Sequence, residues 1–387
     1  MKTTTHIRRL LVVLFACALI ARGAEEGFVP LFNGKNLSGW VPVNVAPGTF
    51  TVREGIIIST GKPTGVMRTE RMYENFIIEL EWRHLKSGGN AGLFIWGDPM
   101  TARGTPFARG IEVQILDNGY AAKGKNEWFT THGDIFPIHG ATMTPAGLVA
   151  KSGRRSFPSE ELSKSAPEWN HYRVVANNGE VRLSVNGKEV TVGRDSSPRK
   201  GYLCLESEGS ECHFRNIRIK ELPSSSPSPD QIAKAAEGFT TLYTGVDLAG
   251  WRADAPAKEH WRVSDWRLEC DAKAGTPPLT TEQEFGDFVM IVDWLSSAKP
   301  DSAKPGDVGS ISLRGVDSAL VKLDRAQSGS WHRLQITLRG DELTVEQDGK
   351  LLGEKRRITG TPKRGPIVLR AAGEPITFAN LFVRELK

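Results

Sequence analysis

The stretch Ile111-Glu112-Val113-Gln114-Ile115 alternates apolar and polar residues. Successive side chains of an extended strand point to opposite faces, so Glu112 and Gln114 share one face and the aliphatic residues take the other. A carboxylate beside an amide can move a proton and hold a hydroxyl group. The same alternation groups Asn90, Phe94 and Trp96 against Ala91, Leu93 and Ile95, and groups Glu79, Glu81 and Arg83 around Leu80 and Trp82. Carboxylates, amides and aromatic plates on one sheet make a sugar-binding surface; for Glu79, Glu81 and Arg83 a solvated face of cross-strand ion pairs is the alternative. A second concentration lies in residues 131–140, where His132, Asp134, Phe136 and His139 fall in a Gly- and Pro-containing stretch that reads as a loop. Imidazole transfers protons near neutral pH and, with a carboxylate, can ligate a cation, although the spacing offers no third ligand. The acid–base candidates are therefore Glu112, His132, Asp134 and His139. The binding candidates are Asn90, Gln114, Trp96, Phe94, Glu81, Arg83 and Phe136. His171, in a strand-like stretch echoed at His332, reads as structural, Arg154 and Arg155 as surface charge, and Glu206, Glu208 and Glu211 as a solvated hairpin tip, with a cation site as the alternative.

These residues sit in a chain of 387 residues with 40 Gly, 22 Pro and ten Trp, 39% hydrophobic and 25% charged. That composition is turn-rich and globular, long enough for two or three domains. The net charge of +5 is spread over 50 basic and 45 acidic residues, with no basic stripe interleaved with aromatics, so no nucleic-acid partner is expected. Lys2, Arg8 and Arg9 precede an apolar run at 10–20 and small residues at 21–24, which predicts a signal peptide over 1–23 and an exported, periplasmic or extracellular protein. A lipoprotein signal using Cys17 is disfavoured by bulky Phe15 and by apolar residues continuing past the cysteine. Cys204 and Cys212 flank a turn at 206–210, so they could form a bridge across two strands or remain two buried thiols.

The chain also repeats itself. Leu31-Phe32-Asn33-Gly34-Lys35-Asn36-Leu37-Ser38-Gly39-Trp40 returns as Leu242-Tyr243-Thr244-Gly245-Val246-Asp247-Leu248-Ala249-Gly250-Trp251, and residues 201–222 match 365–386 without a gap. Asn186-Gly187 and Asp348-Gly349, each between alternating runs, predict tight hairpins. Only residues 230–237 look helical, after a Pro/Ser linker at 223–229 expected to be extended and solvated. The expectation is an all-β chain of two tandem β-sandwiches, 28–222 and 238–387, joined by a linker at 223–237.

The opening Leu31-to-Trp40 motif, Gly89-Asn90-Ala91-Gly92, Glu112-Val113-Gln114-Ile115-Leu116-Asp117, Glu168-Trp169-Asn170, Val185-Asn186-Gly187 and Phe214-Arg215-Asn216-Ile217-Arg218-Ile219 resemble the 3-keto-disaccharide hydrolase domain family. The resemblance covers nearly all of the first repeat, with Ala91 where the family usually has serine. It implies a concanavalin A-like jelly roll that cleaves glycosides already oxidised to a ketone at C3. The ketone acidifies the C2 hydrogen, so a base can remove it and expel the glycosidic oxygen, with water then adding back. The partner implied is an oxidised oligosaccharide or glycoside, in co-operation with a sugar 3-dehydrogenase. No organic cofactor is expected, and a divalent cation stays open. In the second repeat the Glu-x-Gln pair is replaced by Ser318-Ala319-Leu320-Val321-Lys322-Leu323 and the His-containing loop is missing, which predicts a degenerate, non-catalytic copy. If it instead binds carbohydrate, Trp251, Trp261, Trp266 and Trp294 are its candidate platforms, although core packing is the expectation for most of them. A non-catalytic lectin-like protein remains the competing reading of the whole chain. No Gly-x-Ser-x-Gly, phosphate-cradling loop or dinucleotide fingerprint is present.

Overall fold

Period-two alternation stacks the first half into two antiparallel sheets with an apolar layer between them. In the computed structural model, which describes residues 26–121, 127–236, 238–297 and 306–387, the back sheet runs Thr142–Ala146, Lys188–Ser197, Glu180–Val185, Asn170–Asn177, Phe76–His84, Cys212–Glu221, Ile56–Ser59 and Phe50–Arg53. The front sheet runs Leu148–Val149, Ser156–Phe157, Ile135–Ile138, Gly110–Leu116, Asn90–Gly97, Tyr202–Ser207, Gly65–Thr69 and Trp40–Pro42. Ile78, Leu80 and Trp82 from the back meet Leu93, Ile111, Val113, Ile115 and Leu205 from the front in one buried cluster. Each such side chain contributes roughly 1.5–3 kcal/mol through removal from water. The expected signal peptide and Cys17 lie outside the described residues.

The second half builds its own pair of sheets around a separate core that takes in Trp251, Trp261 and Trp294. Its Phe288–Ser296 strand lies between His332–Arg339 and Ile376–Glu385, as Phe76–His84 lies between Asn170–Asn177 and Cys212–Glu221. Of the four candidate aromatic platforms, three are thus core residues. Trp266 alone is partly exposed, 5.8 Å from the ring of Trp331. The all-β expectation holds, and both predicted hairpins are present. Asn186 and Gly187 have φ of 50° and 95°, Asp348 and Gly349 have 52° and 79°, and the flanking strands pair across each turn. Among the described residues no helix is long and apolar enough to cross a membrane.

Three expectations change. Cys204 and Cys212 are free thiols: the strands that carry them, Tyr202–Ser207 and Cys212–Glu221, belong to different sheets, and Cys212 joins the core while Cys204 points away from it. The stretch at 230–237 is not helical; a 3₁₀ turn at Pro229–Gln231 gives way to extended chain, Glu237 lies outside the described residues, and an α-helix stands instead at Ala255–His260, capped by Asp254. Nor is the linker free in solvent. Ser225 donates its amide to Glu74 Oε1 at 2.6 Å, Arg199 to the Gln231 carbonyl at 2.9 Å and Ala233 to the Lys200 carbonyl at 2.8 Å, so its backbone groups bond to the first half instead of water.

The two halves touch. Val43, Val66, Phe94, Tyr202 and Cys204, on the front sheet's outward face, bury against Ile291 and Phe382 of the second half. Thr64 donates both its amide and its hydroxyl to the Asp265 carboxylate, at 2.7 and 2.6 Å.

Candidate active site

The front sheet brings Glu112 and Gln114 to its outward face as the alternation requires, with Ile111, Val113 and Ile115 in the core beneath. Antiparallel pairing sets Phe94 and Gly92 beside Glu112 and Gln114, and Phe136 on the other flank of Glu112. The Tyr202–Ser207 strand lies across the Asn90–Gly97 strand, and its own alternation sends Leu203 and Leu205 inward and Glu206 outward. Gly92 lies in the middle. A Cβ there would come within 2.8 Å of Glu206 Oε2 and 3.0 Å of Glu112 Oε1. The missing side chain lets two glutamates from neighbouring strands converge over one backbone position, their oxygens within about 6 Å of each other.

A third acid and two amides extend the cluster. Glu208 accepts from Asn90 Nδ2 at 2.6 Å, and Asn90 Oδ1 accepts from Gln114 Nε2 at 3.1 Å. Glu206 Oε2 is buried without a hydrogen-bond partner and faces the space above Gly92. Burial raises the Glu112 carboxyl to about 8; the Arg155 guanidinium opposes the shift, and the charges of Glu208 and Asp134 add to it. Glu206, deeper still, is held well above the carboxylate range by burial and by Glu112 and Glu208. Burial raises Glu208 as well, but it is the most exposed of the three, and its bonds to Glu206 and Asn90 favour the ionised form. Neighbouring carboxyls with separated proton affinities are the raw material of acid–base catalysis. Arg155 supplies a cation at the edge: it donates to the buried Asp134 carboxylate at 3.1 Å, and its guanidinium lies 3.5 Å from the centroid of the Phe136 ring. Among the described residues no group of three or more His, Cys, Asp or Glu is arranged to hold a metal ion.

The residues singled out from the sequence divide. Glu112, Gln114, Asn90, Phe94 and Phe136 share this face. Phe94 is fully buried under Phe107, which meets it edge-on at 6.0 Å, so it is floor and not an open stacking plate. Asp134 flanks Gln114, to which its backbone carbonyl is bonded, but its carboxylate is spent on the Thr130 amide and hydroxyl and on Arg155. The two imidazoles do not converge: His132 precedes the Ile135–Ile138 strand and His139 follows it. His132 faces Glu161 at 3.6 Å, whereas exposed His139 contacts the Thr105 hydroxyl at 3.2 Å and stacks on Phe107.

Trp96, Glu81 and Arg83 are elsewhere. Trp96 has φ of 54°, and the pairing with Tyr202–Ser207 slips between Tyr202 and Cys204, which turns the indole into the core. There its Nε1 donates to the Glu74 carbonyl at 2.7 Å. Glu81 and Arg83 stand on the back sheet: Glu81 pairs with Arg215 at 2.6 Å, and Arg83 lies over the Trp169 ring. Beside them Arg218 and Arg173 bond Glu79 and hold it below its usual range against the push of burial, so the solvated ion-pair face is the arrangement found. The sequence reads Glu206 and Glu208 as a solvated hairpin tip and Arg155 as surface charge, whereas Glu206 is buried and Arg155 bonds the buried Asp134. The alternation Leu203-Cys204-Leu205-Glu206 carried the same signal as Ile111-Glu112-Val113, but the nearby acids suggested a hairpin tip.

Comparison with known proteins follows the same lines. A curated 3-keto-disaccharide hydrolase of Bacteroides thetaiotaomicron is 21% identical over 250 residues, spanning 51% of this chain and 79% of that protein. Among solved structures, a candidate glycosyl hydrolase of Parabacteroides distasonis is 22% identical and covers 51% of this chain and 95% of its own, with a TM-score of 0.38. The carbohydrate-binding module CBM66 of Bacillus subtilis is 13% identical and covers 47% and 96%, with a TM-score of 0.35. The profile of the 3-keto-alpha-glucoside-1,2-lyase-like domain matches residues 27–220, half of the chain. Through that first half the chain belongs to the 3-keto-alpha-glucoside-1,2-lyase-like domain family.

Proposed function

We propose that the first half is an exported hydrolase or lyase for 3-keto-glycosides, with the Glu112–Glu206–Glu208 cluster as its acid–base machinery. The observation that carries the reading is the convergence of two buried carboxyls over Gly92, one oxygen of which has no protein partner. Glu208, the most exposed of the three, takes the C2 proton as base. The electron pair passes into the C2–C3 bond and the ketone becomes an enolate. Arg155 and the Gln114 and Asn90 amides supply positive charge and hydrogen bonds for that oxygen. The enolate then collapses to a C1–C2 double bond as the C1–O bond breaks, and Glu112, which holds its proton at neutral pH, passes it to the leaving oxygen. Water adding at C1 with a proton returning to C2 completes net hydrolysis; without that step the enzyme is a lyase. Phe107, on which His139 stacks, meets Phe94, and Phe94 stands beside Glu112. The second half, as a degenerate copy of the same domain, carries no Glu-x-Gln strand and acts in support.

The test is exchange and turnover together. The mature protein is incubated in D2O with 3-keto-trehalose or a 3-keto-glucoside, with and without chelator, and C2 deuteration and the released sugar are followed by NMR. Deuterium entering C2, turnover lost in Glu112→Gln, and C2 exchange lost in Glu208→Gln are the expected results. Tight binding with neither exchange nor turnover would leave a lectin-like protein.

A further inference from the structure

We infer that the second half is a positioning element of the first half's site: Asn380 and Asp293 clamp the 98–109 loop that carries the contacts of His139. The inference rests on the reading of the site above. The loop joins the two strands that bear Phe94 and Glu112, and its Phe107 meets Phe94 at 6.0 Å, so its placement sets the packing beside Glu112. Asn380 aims its amide nitrogen at the carbonyls of Ala102 and Thr105, 3.2 and 3.0 Å away, and its Oδ1 accepts from the Thr101 hydroxyl at 2.7 Å. Asp293 Oδ2 accepts from the Gly104 amide at 2.8 Å and from Asn380 Nδ2 at 2.7 Å, while Arg333 neutralises the carboxylate at 2.7 and 2.9 Å. Gly104, with φ of 67°, lies against the Trp331 ring so closely that a Cβ would fall 2.4 Å from Cγ. Within the same loop the Thr105 hydroxyl bonds His139 Nε2, and Phe107 stacks on His139 and meets Phe94.

The internal repeat supplies a comparison. In the gapless match of 201–222 with 365–386, Asn216 is the counterpart of Asn380, and both have left-handed φ, 53° and 51°. Asn216 also bonds an acid on the neighbouring strand, Glu81, at 3.1 Å, but that pair is exposed on the back sheet. In the second half the equivalent pair is buried beneath the loop: Asn380 is 5% exposed and Asp293 is inaccessible. Moving the loop away would leave these buried polar groups without partners, so the pair holds the loop in one place and does not merely touch it.

Asn380→Gly removes the amide while tolerating the left-handed backbone, and Asn216→Gly is the matched control on the back sheet. Both are made in the full chain. At a temperature where both variants are folded, Asn380→Gly is expected to lower kcat for the 3-keto-glycoside about 10- to 100-fold with KM within about twofold, and its melting temperature falls below that of Asn216→Gly because the bonds it loses are buried. Hydrogen exchange of residues 101–107, measured without substrate, should speed up in Asn380→Gly only. Unchanged exchange and unchanged kcat overturn the inference. Should wild type turn over no keto-glycoside, the exchange arm still decides whether the clamp exists, and only the reading of the site falls.

Discussion

Replacing Glu112 by Gln should make the protein's stability respond less to pH, by an amount the burial of the site sets. The carboxyl titrates near 4.5 in the unfolded chain and at about 8 in the folded one. A carboxyl with a raised folded pKa takes up a proton on folding. Its stabilising contribution is complete below about pH 4.5 and is lost as pH rises toward 8, at about 1.4 kcal/mol per unit. Between pH 5.5 and 7.5 wild type should therefore lose about 3 kcal/mol that Glu112→Gln keeps, and above pH 8 the two curves should run parallel. Urea unfolding followed by fluorescence of the buried Trp82 and Trp96 measures this at each pH. Stabilities that fall equally steeply in the two proteins would refute the neutral, buried Glu112, and with it the proposed proton donor.

Gly92→Ala places a methyl group between the converging glutamates, and turnover should drop about 100-fold or more while binding of the same sugar, read by calorimetry, weakens less. With Glu112 as the proposed proton donor, kcat should decline as pH passes about 8, and the pH–rate profile of Glu112→Gln should lack that limb. Trp96→Ala should cost about 3–5 kcal/mol in chemical denaturation, as a cavity in the core, whereas Glu81→Gln on the back sheet should leave kcat and KM at wild-type values. Thiol titration of the denatured chain should find Cys204, Cys212 and Cys270 reactive without prior reduction.

Much of the fold was legible because sheets write their pattern locally. Ile111 to Ile115 states which side faces the core, and Asn186-Gly187 states where the chain reverses. The pattern failed at Trp96, where one residue of left-handed backbone reverses the side that alternation assigns; a bulge depends on the neighbouring strand's register, which no local pattern records. Glu81 and Arg83 were grouped correctly with each other but given to the wrong sheet, because period two says which residues share a face and not which of two sheets the face belongs to. Glu206 met Glu112 only through pairing of strands over a hundred residues apart, with Gly92 as the opening between them. His132 and His139 are near in sequence, yet an extended strand separates them.

The junction between the halves also bears on what can lie across the front sheet. Its Trp40–Pro42 and Gly65–Thr69 end is walled off where Ile291 and Phe382 cover Val66, Tyr202 and Cys204. A polymer threaded over the strands would collide with that wall a few residues beyond the glutamates. Whatever reaches the glutamates across that side of the sheet therefore meets the second half first, because Val66 under the wall pairs directly with Glu206.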